Sequence, residues 1–157
     1  MEKEKQAKDG TKLVAQNRRA RFDYTVEDTL EAGLQLVGSE VKSLREGTAN
    51  LNDAYALPHG KELFLHHAHI GPYKPSTVFG HEPLRKRKLL MHRAELDRWC
   101  AKVTERGYSI IPLSLYFKNG RAKVELGLCR GKTHEDRRQD IKERDTRREL
   151  DRVVRRK

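Results

Sequence analysis

At 157 residues the chain has the size of one domain with a single core. Its hydrophobic fraction is 36% and its mean hydropathy −0.89, and no run approaches the roughly 20 apolar residues of a membrane span. The net charge of +11 is segregated. The last 28 residues hold twelve Lys/Arg against seven Asp/Glu and the first 21 hold seven against three, so only +2 remains for the 108 residues between. A nearly neutral body with cationic ends suits a large polyanion, RNA first among them; the plainer reading is charge that serves solubility.

Residues 1–17 are polar and read as a flexible N-terminal arm. Its Lys/Glu-rich start lacks the apolar stretch of a secretory signal, which points to the cytoplasm. Phe22, Tyr24 and Val26 alternate with polar residues, as in a half-buried strand. Glu31-Ala32-Gly33 interrupts it before Leu34 and Leu36 resume, and Gly33 marks a bend or bulge. Gly38-Ser39-Glu40 opens a two-turn helix with Ser39 as N-cap, Val41 and Leu44 on its apolar side and Gly47 at its end. Lys42 and Arg45 lie three apart on another face of that helix.

Two strands follow near Leu51–Leu57 and Glu62–Ile70, joined by a turn at Pro58-His59-Gly60. Gly71–Pro83 carries Pro72, Pro75 and Gly80 besides its end residues and reads as a loop. Over His92–Arg106, Leu96, Trp99, Cys100 and Val103 recur at helical spacing, and Gly107 supplies the stop. Ile111, Leu113, Leu115 and Phe117 alternate, as do Ala122, Val124, Leu126 and Leu128. Asn119-Gly120 between them is a hairpin turn, and Pro112 belongs at an edge or bulge. The predicted fold is mainly β with peripheral helices. About six antiparallel strands, each with one apolar face, close economically into an OB-like barrel.

The barrel is expected to span residues 18–130, followed by a basic tail over 131–157. Glu135–Arg155 contains no Gly or Pro and sets opposite charges at i, i+4, such as Asp140 with Arg144. Its apolar residues, Ile141, Leu150, Val153 and Val154, are too few for a stable isolated helix. The tail is expected to be disordered alone and helical in an anionic groove; a permanently solvated tail is the alternative.

Among the constellations, Arg85-Lys86-Arg87-Lys88 needs either full solvation or an anion, and phosphate contact is preferred to a solvated strand edge. Arg18, Arg19 and Arg21 beside Asn17 form a second basic cluster, with Phe22 either a stacking surface or core. His66, His67 and His69 invite a metal, but in a strand His67 and His69 face away from His66, and no Cys or carboxylate lies at useful spacing. Cys100 and Cys129 form no ligand pattern and read as small buried side chains. No nucleophile elbow or Gly-rich phosphate loop is present, so neither an enzyme nor a cofactor is predicted. An RNA-processing enzyme and a structural ribosomal component are the competing classes.

The chain resembles the SsrA-binding protein family (small protein B, SmpB) of bacterial trans-translation. The resemblance runs through Asn17-Arg18-Arg19-Ala20-Arg21, Glu31-Ala32-Gly33, Ser39-Glu40-Val41-Lys42-Ser43-Leu44-Arg45 and Arg87-Lys88-Leu89-Leu90. It continues in Tyr116-Phe117, Lys123-Val124-Glu125-Leu126-Gly127, Arg130-Gly131-Lys132, Asp136-Arg137-Arg138 and Asp140-Ile141-Lys142-Glu143-Arg144. The resemblance implies an OB-related barrel that binds the tRNA-like domain of transfer-messenger RNA and delivers it, with elongation factor Tu, to stalled ribosomes. It further implies a tail that enters the vacant mRNA channel near the decoding centre and folds there.

By position Asn17, Glu31, Leu90 and Lys123 match RNA-binding residues. With them we group Arg18, Arg19, Arg21, Phe22, Lys42, Arg45, Arg85, Lys86, Arg87, Lys88, Arg130 and Lys132. Asp136, Arg137 and Arg138 match the ribosomal tail motif, and Ile141, Lys142, Arg144, Arg147, Arg148, Val153 and Val154 extend it. Phe22 and Thr146 depart from the family pattern: the first loses a polar ring contact, the second an aromatic one.

Overall fold

The computed structural model describes residues 6–7, 10–73, 80–132 and 134–156. In chain order the elements are β1 (Gln6–Ala7), β2 (Thr11–Gln16), α1 (Ala20–Asp23), β3 (Tyr24–Leu34), α2 (Gly38–Arg45), β4 (Ala49–Asn50) and β5 (Tyr55–His59). They continue as β6 (Glu62–His66), β7 (His69–Ile70), β8 (Arg87–Leu90), α3 (Arg93–Arg106), β9 (Ser109–Lys118), β10 (Arg121–Gly131) and α4 (His134–Arg155). The strands run β1-β2-β9-β10-β3-β8-β6-β5, and β5 pairs back on β9 at Ala56–Ile110. Six strands, β9-β10-β3-β8-β6-β5, therefore form a closed ring, as the alternation predicts, and closure leaves few strand edges open.

Leu63, Leu65, Leu89, Ile110, Leu115, Val124, Leu126 and Leu128 fill the ring, joined by Leu44 of α2 and by Leu96 and Trp99 of α3. Trp99 is the largest fully buried side chain. The helix that presents it has its stop at Gly107, in the left-handed region at φ 68°. Asn119 and Gly120 both take positive φ, 52° and 77°, and tie β9 to β10.

Local periodicity fails where partners decide the structure. Thr11–Gln16, expected within a flexible arm, is a strand on the free edge of β9, with Val14 and Ala15 packed on the core. Residues 1–5 and 8–9 of that arm lie outside the described residues. Phe22 sits in the single turn α1, not in a strand, because the Asn17 side-chain Oδ1 accepts the Ala20 N–H at 3.1 Å and holds the turn. Ile111 and Leu113 do not share a face with Leu115. A bulge at the Glu125–Leu126 step of the β9–β10 ladder flips them outward, into a small cluster with Ala20 and Cys129. Pro112 adjoins that bulge, as expected.

Gly33, expected at a bulge, lies in regular pairing with Lys123 and Leu90; the bulge in β3 falls instead opposite Leu128–Cys129. Pro58 and His59 belong to β5, so the turn narrows to Gly60-Lys61. Val37 rather than Ser39 occupies the N-cap of α2, and the Ser39 hydroxyl meets His81 Nδ1 at 2.9 Å. Of the expected loop Gly71–Pro83, residues 74–79 lie outside the described ones.

The tightest polar knot of the fold is Glu40, fully buried on α2. Its carboxylate accepts from Arg87 Nε and from Arg85 Nε at 3.0 Å and Nη2 at 2.6 Å, and at 3.3 Å from the Val37 N–H. Arg87, equally buried, donates onward to the Ala68 carbonyl at 2.7 Å and the Pro83 carbonyl at 3.2 Å. Burial would raise the Glu40 pKa, but the Arg87 and Arg85 hydrogen bonds outweigh it and hold the carboxyl below its ordinary 4.5. A depressed carboxyl contributes stability that is complete above its unfolded pKa and lost as pH falls through the folded one. Glu40→Gln should cost about 3–5 kcal/mol, because it leaves Arg87 buried without a counter-charge. Urea titrations of both proteins check this: the wild type should lose its advantage as pH falls below 4.5.

Candidate nucleic-acid interface

The register of three strands places the first group of predicted residues in one row. Lys123 of β10 pairs with Gly33 of β3, and Gly33 pairs with Leu90 of β8. A Cβ on Gly33 would stand 3.2 Å from Leu90 Cβ, so the missing side chain lets Leu90 lean across β3. Leu90 is 49% exposed there, an apolar contact on an otherwise polar outer face. Two residues before Gly33, on the same face of β3, the Glu31 carboxylate accepts the Tyr116 hydroxyl and lies 3.5 Å from Lys118 Nζ. Tyr116 in turn pairs across the ladder with Lys123.

Glu31 is therefore an orienting group. The Tyr116 hydroxyl first, then Lys118 and Lys123, pull its pKa below the ordinary value against a modest opposing effect of burial. Tyr116 is pushed up correspondingly, by burial and by the Glu31 carboxylate. Three of the four residues matched by resemblance, Glu31, Leu90 and Lys123, thus meet on one wall. Tyr116 and Lys118 complete the cluster and were missed as site residues, because only the β9–β10 register brings them there.

Asn17, the fourth, does not join them. It is 3% exposed; its side-chain amide donates to the Leu51 carbonyl at 3.1 Å and the Pro112 carbonyl at 3.0 Å, and its own N–H to the Leu113 carbonyl at 2.7 Å. Each such bond is worth about 0.5–1.5 kcal/mol, and all are made within the protein, so Asn17 fixes the bulge and α1.

Within the Arg85–Lys88 run, two of the four cations are taken up inside the protein. Strand alternation turns Arg87 inward onto Glu40, and Arg85 reaches the same carboxylate. The anion this run requires is an internal one. Lys86 and Lys88 face out, Lys86 Nζ 4.8 Å from the Phe64 ring centroid and Lys88 2.8 Å from Glu62. Lys42 Nζ lies 5.5 Å from the Tyr73 ring, and Arg45 is exposed one turn away.

A second cationic region surrounds α1 and the start of α4. Arg18, Arg19 and Arg21 are exposed, and Arg130 approaches Glu27 at 3.4 Å. Lys132 donates to the Arg21 carbonyl at 2.9 Å and pairs with Asp140. Arg137 lies 3.8 Å from Asp23, and the Arg144 guanidinium sits 5.8 Å over the Phe22 ring. Phe22, whose benzene ring departs from the family pattern, thus holds the tail by its π-face. Thr146 turns its hydroxyl back to the Lys142 carbonyl at 2.9 Å.

In the tail, α4 is helical over 22 residues. It leaves Ile141, Leu150, Val153 and Val154 between 45% and 73% exposed. Asp136, Arg138, Lys142, Arg147 and Arg148 are exposed along the same helix. The three histidines share no strand face, since β6 ends at His66 and His67 takes φ 58°. Among the described residues no three His, Cys, Asp or Glu side chains gather to hold a metal, and no helix is long and apolar enough to cross a membrane.

A closed six-stranded OB-type barrel, with cations on its outer walls and on an appended helix, defines a class of protein that meets a polyanion over its surface. Comparison with known proteins narrows the class. The family model described as SmpB protein matches residues 14–156. An SsrA-binding protein of Myxococcus xanthus is 72% identical over 148 residues, covering 94% of this chain and 91% of that protein. One from Thermobifida fusca is 54% identical over 156 residues, covering 99% and 98%. A solved chain described as "tmRNA-SmpB: a journey to the center of the bacterial ribosome" superposes with a TM-score of 0.65 at 43% identity, over 81% of this chain and 93% of that one. The chain belongs to the SmpB family.

The Glu31 cluster makes a direct prediction. Tyr116→Phe removes the hydroxyl donor and should raise the Glu31 pKa toward its ordinary 4.5, with Lys118→Ala giving a smaller rise. Carboxyl-carbon NMR titration of Glu31 reads both.

Proposed function

We propose that this chain is the protein adaptor of trans-translation: it grips the tRNA-like domain of transfer-messenger RNA and accompanies it into stalled ribosomes. Elongation factor Tu then meets it indirectly, through the shared RNA, and the work is done in the cytoplasm, where ribosomes are. The adaptor carries no catalytic step of its own and needs no cofactor.

The observation that carries this reading is the Lys123–Gly33–Leu90 row beside Glu31, Tyr116 and Lys118. A lysine for phosphate, an apolar side chain for a sugar or base face and a charge-oriented tyrosine are the chemistry that recognises a structured RNA by shape. The family relationship supplies which RNA.

The division of labour assigned to residues 18–130 and 131–157 follows the same logic. The barrel offers a preformed surface, whereas α4 is a highly charged rod with its apolar residues uncovered. In the ribosome the rod occupies the vacant mRNA channel, Asp136, Arg137 and Arg138 near its root and Val153 and Val154 near its tip.

Two measurements test the assignment. Lys123→Ala should weaken binding to the tRNA-like RNA and lower the slope of log K against log salt by about 1, since one phosphate contact is lost. Deleting residues 131–157 should leave that affinity within about threefold while abolishing tagging of stalled chains; a collapse of RNA affinity on truncation refutes the division.

A further inference from the structure

We propose that the outer wall of β5, β6 and β8 is a second RNA-contacting surface, which stacks unpaired nucleobases. The inference rests on the reading above that this chain binds RNA. It concerns a different face: in the ring order β9-β10-β3-β8-β6-β5, the β5–β6 hairpin stands across the barrel from β10–β3.

Alternation sorts the residues of this wall cleanly. Ala56, Leu63, Leu65, Arg87 and Leu89 point into the barrel. Tyr55, Leu57, Phe64, His66, Lys86 and Lys88 point out. The solvent face of an antiparallel wall is ordinarily polar. Here it is aromatic, and Leu57 is 44% exposed beside it. The rings are already arranged for stacking. Tyr55 lies 5.4 Å from His66 with planes 4° apart, and 5.4 Å from His67 with planes 28° apart. His67 is exposed and held at φ 58°, a left-handed backbone that a non-glycine residue rarely adopts, and this geometry turns its ring beside Tyr55.

Cations frame the rings. Lys86 lies over Phe64, and Lys88 is held only by the exposed Glu62, an ion pair weak enough to yield to a phosphate. Burial, then Lys86 and His67, lower the His66 pKa below its ordinary 6.5, which favours a neutral stacking ring near neutral pH.

The exposed His67 ring beside Tyr55, itself packed on the Ala20–Ile111–Leu113–Cys129 cluster, and the half-buried Phe64 under Lys86 offer ring surface between lysines that suits one occupant, the bases and backbone of unpaired RNA. A protein partner would gain from Leu57 and Phe64 but has no use for the lysine frame, and the chain's +11 charge favours the polyanion. The wall is also continuous with the first one. Leu90, which lies in the Lys123 row, ends the strand that carries Lys88 and that Lys86 immediately precedes. RNA leaving a paired stem on the first wall can therefore run across β8 onto the second.

The test uses the full chain and two probes: an unpaired oligoribonucleotide of about eight nucleotides containing 2-aminopurine, within the site size of one OB fold, and the folded tRNA-like RNA. Stacking on the wall should quench the 2-aminopurine on binding. The triple variant Phe64→Leu, His67→Asn, Lys86→Gln keeps an apolar residue in β6 and a residue tolerant of positive φ after it. It should lose about tenfold or more in oligonucleotide affinity, together with the quench. Lys86→Gln alone changes one exposed side chain and should lose a few-fold, which guards against misfolding of the triple variant. Lys123→Ala, on the opposite wall, should weaken the folded RNA and leave the quench unchanged. Wild-type quench and affinity in both Lys86→Gln and the triple variant would overturn the inference, as would oligonucleotide binding without any quench. Quenching by a chain that ignores the folded RNA would keep this wall and refute the proposed function.

Discussion

A buried carboxylate between two arginines organises this barrel. Glu40 enters from α2, Arg85 and Arg87 from the approach to β8, and Arg87 extends the network to the Ala68 and Pro83 carbonyls. One ionic knot thereby ties a helix, a barrel strand and the connection after β6. Taking such charges out of water is costly, and the cost is offset only because nearly every donor finds a partner. What results is less a gain in stability than a fixed position for β8. Both outer walls depend on that position: Leu90 leans over Gly33 on one side, and Lys86 covers Phe64 on the other.

The Lys123–Gly33–Leu90 row follows from the same fixed strand. None of its members is unusual as a residue. Lys123, Leu90 and Glu31 become a site because antiparallel register sets them abreast and because glycine at position 33 leaves the space between them open. Glu31 illustrates how a negative charge is built into a cationic wall: it holds a tyrosine hydroxyl and a lysine in place.

What could be read from the chain beforehand divides along physical lines. The Asn119-Gly120 hairpin, the Leu96–Trp99–Val103 helix and the closed six-strand ring rest on local periodicity and turn chemistry, and they are found as expected. Strand β2 was illegible because its pairing depends on an open edge of β9, far away in sequence. The facing of Ile111 and Leu113 was illegible because one bulge inverts the period. Arg87 misled most: four consecutive cations look like an outward patch, and only the placement of Glu40 reveals that one of them is interior. At the site, resemblance brought out Glu31, Leu90 and Lys123, but it also brought out Asn17, whose work is structural. Tyr116 lay in a motif of the resemblance, but neither it nor Lys118 was marked as a site residue, because only the β9–β10 register brings them to the wall.

The attachment of α4 has a mechanical consequence. Twenty-two helical residues form a rod about 33 Å long, and the contacts described for it, at Arg137, Asp140 and Arg144, lie in its nearer half. The far half is a cantilever. A bend of about 10° just beyond Arg144 carries the free end of this lever, about 16 Å long, through about 3 Å. The tip can thus be redirected by a slight flexure, with no need to unwind the rod.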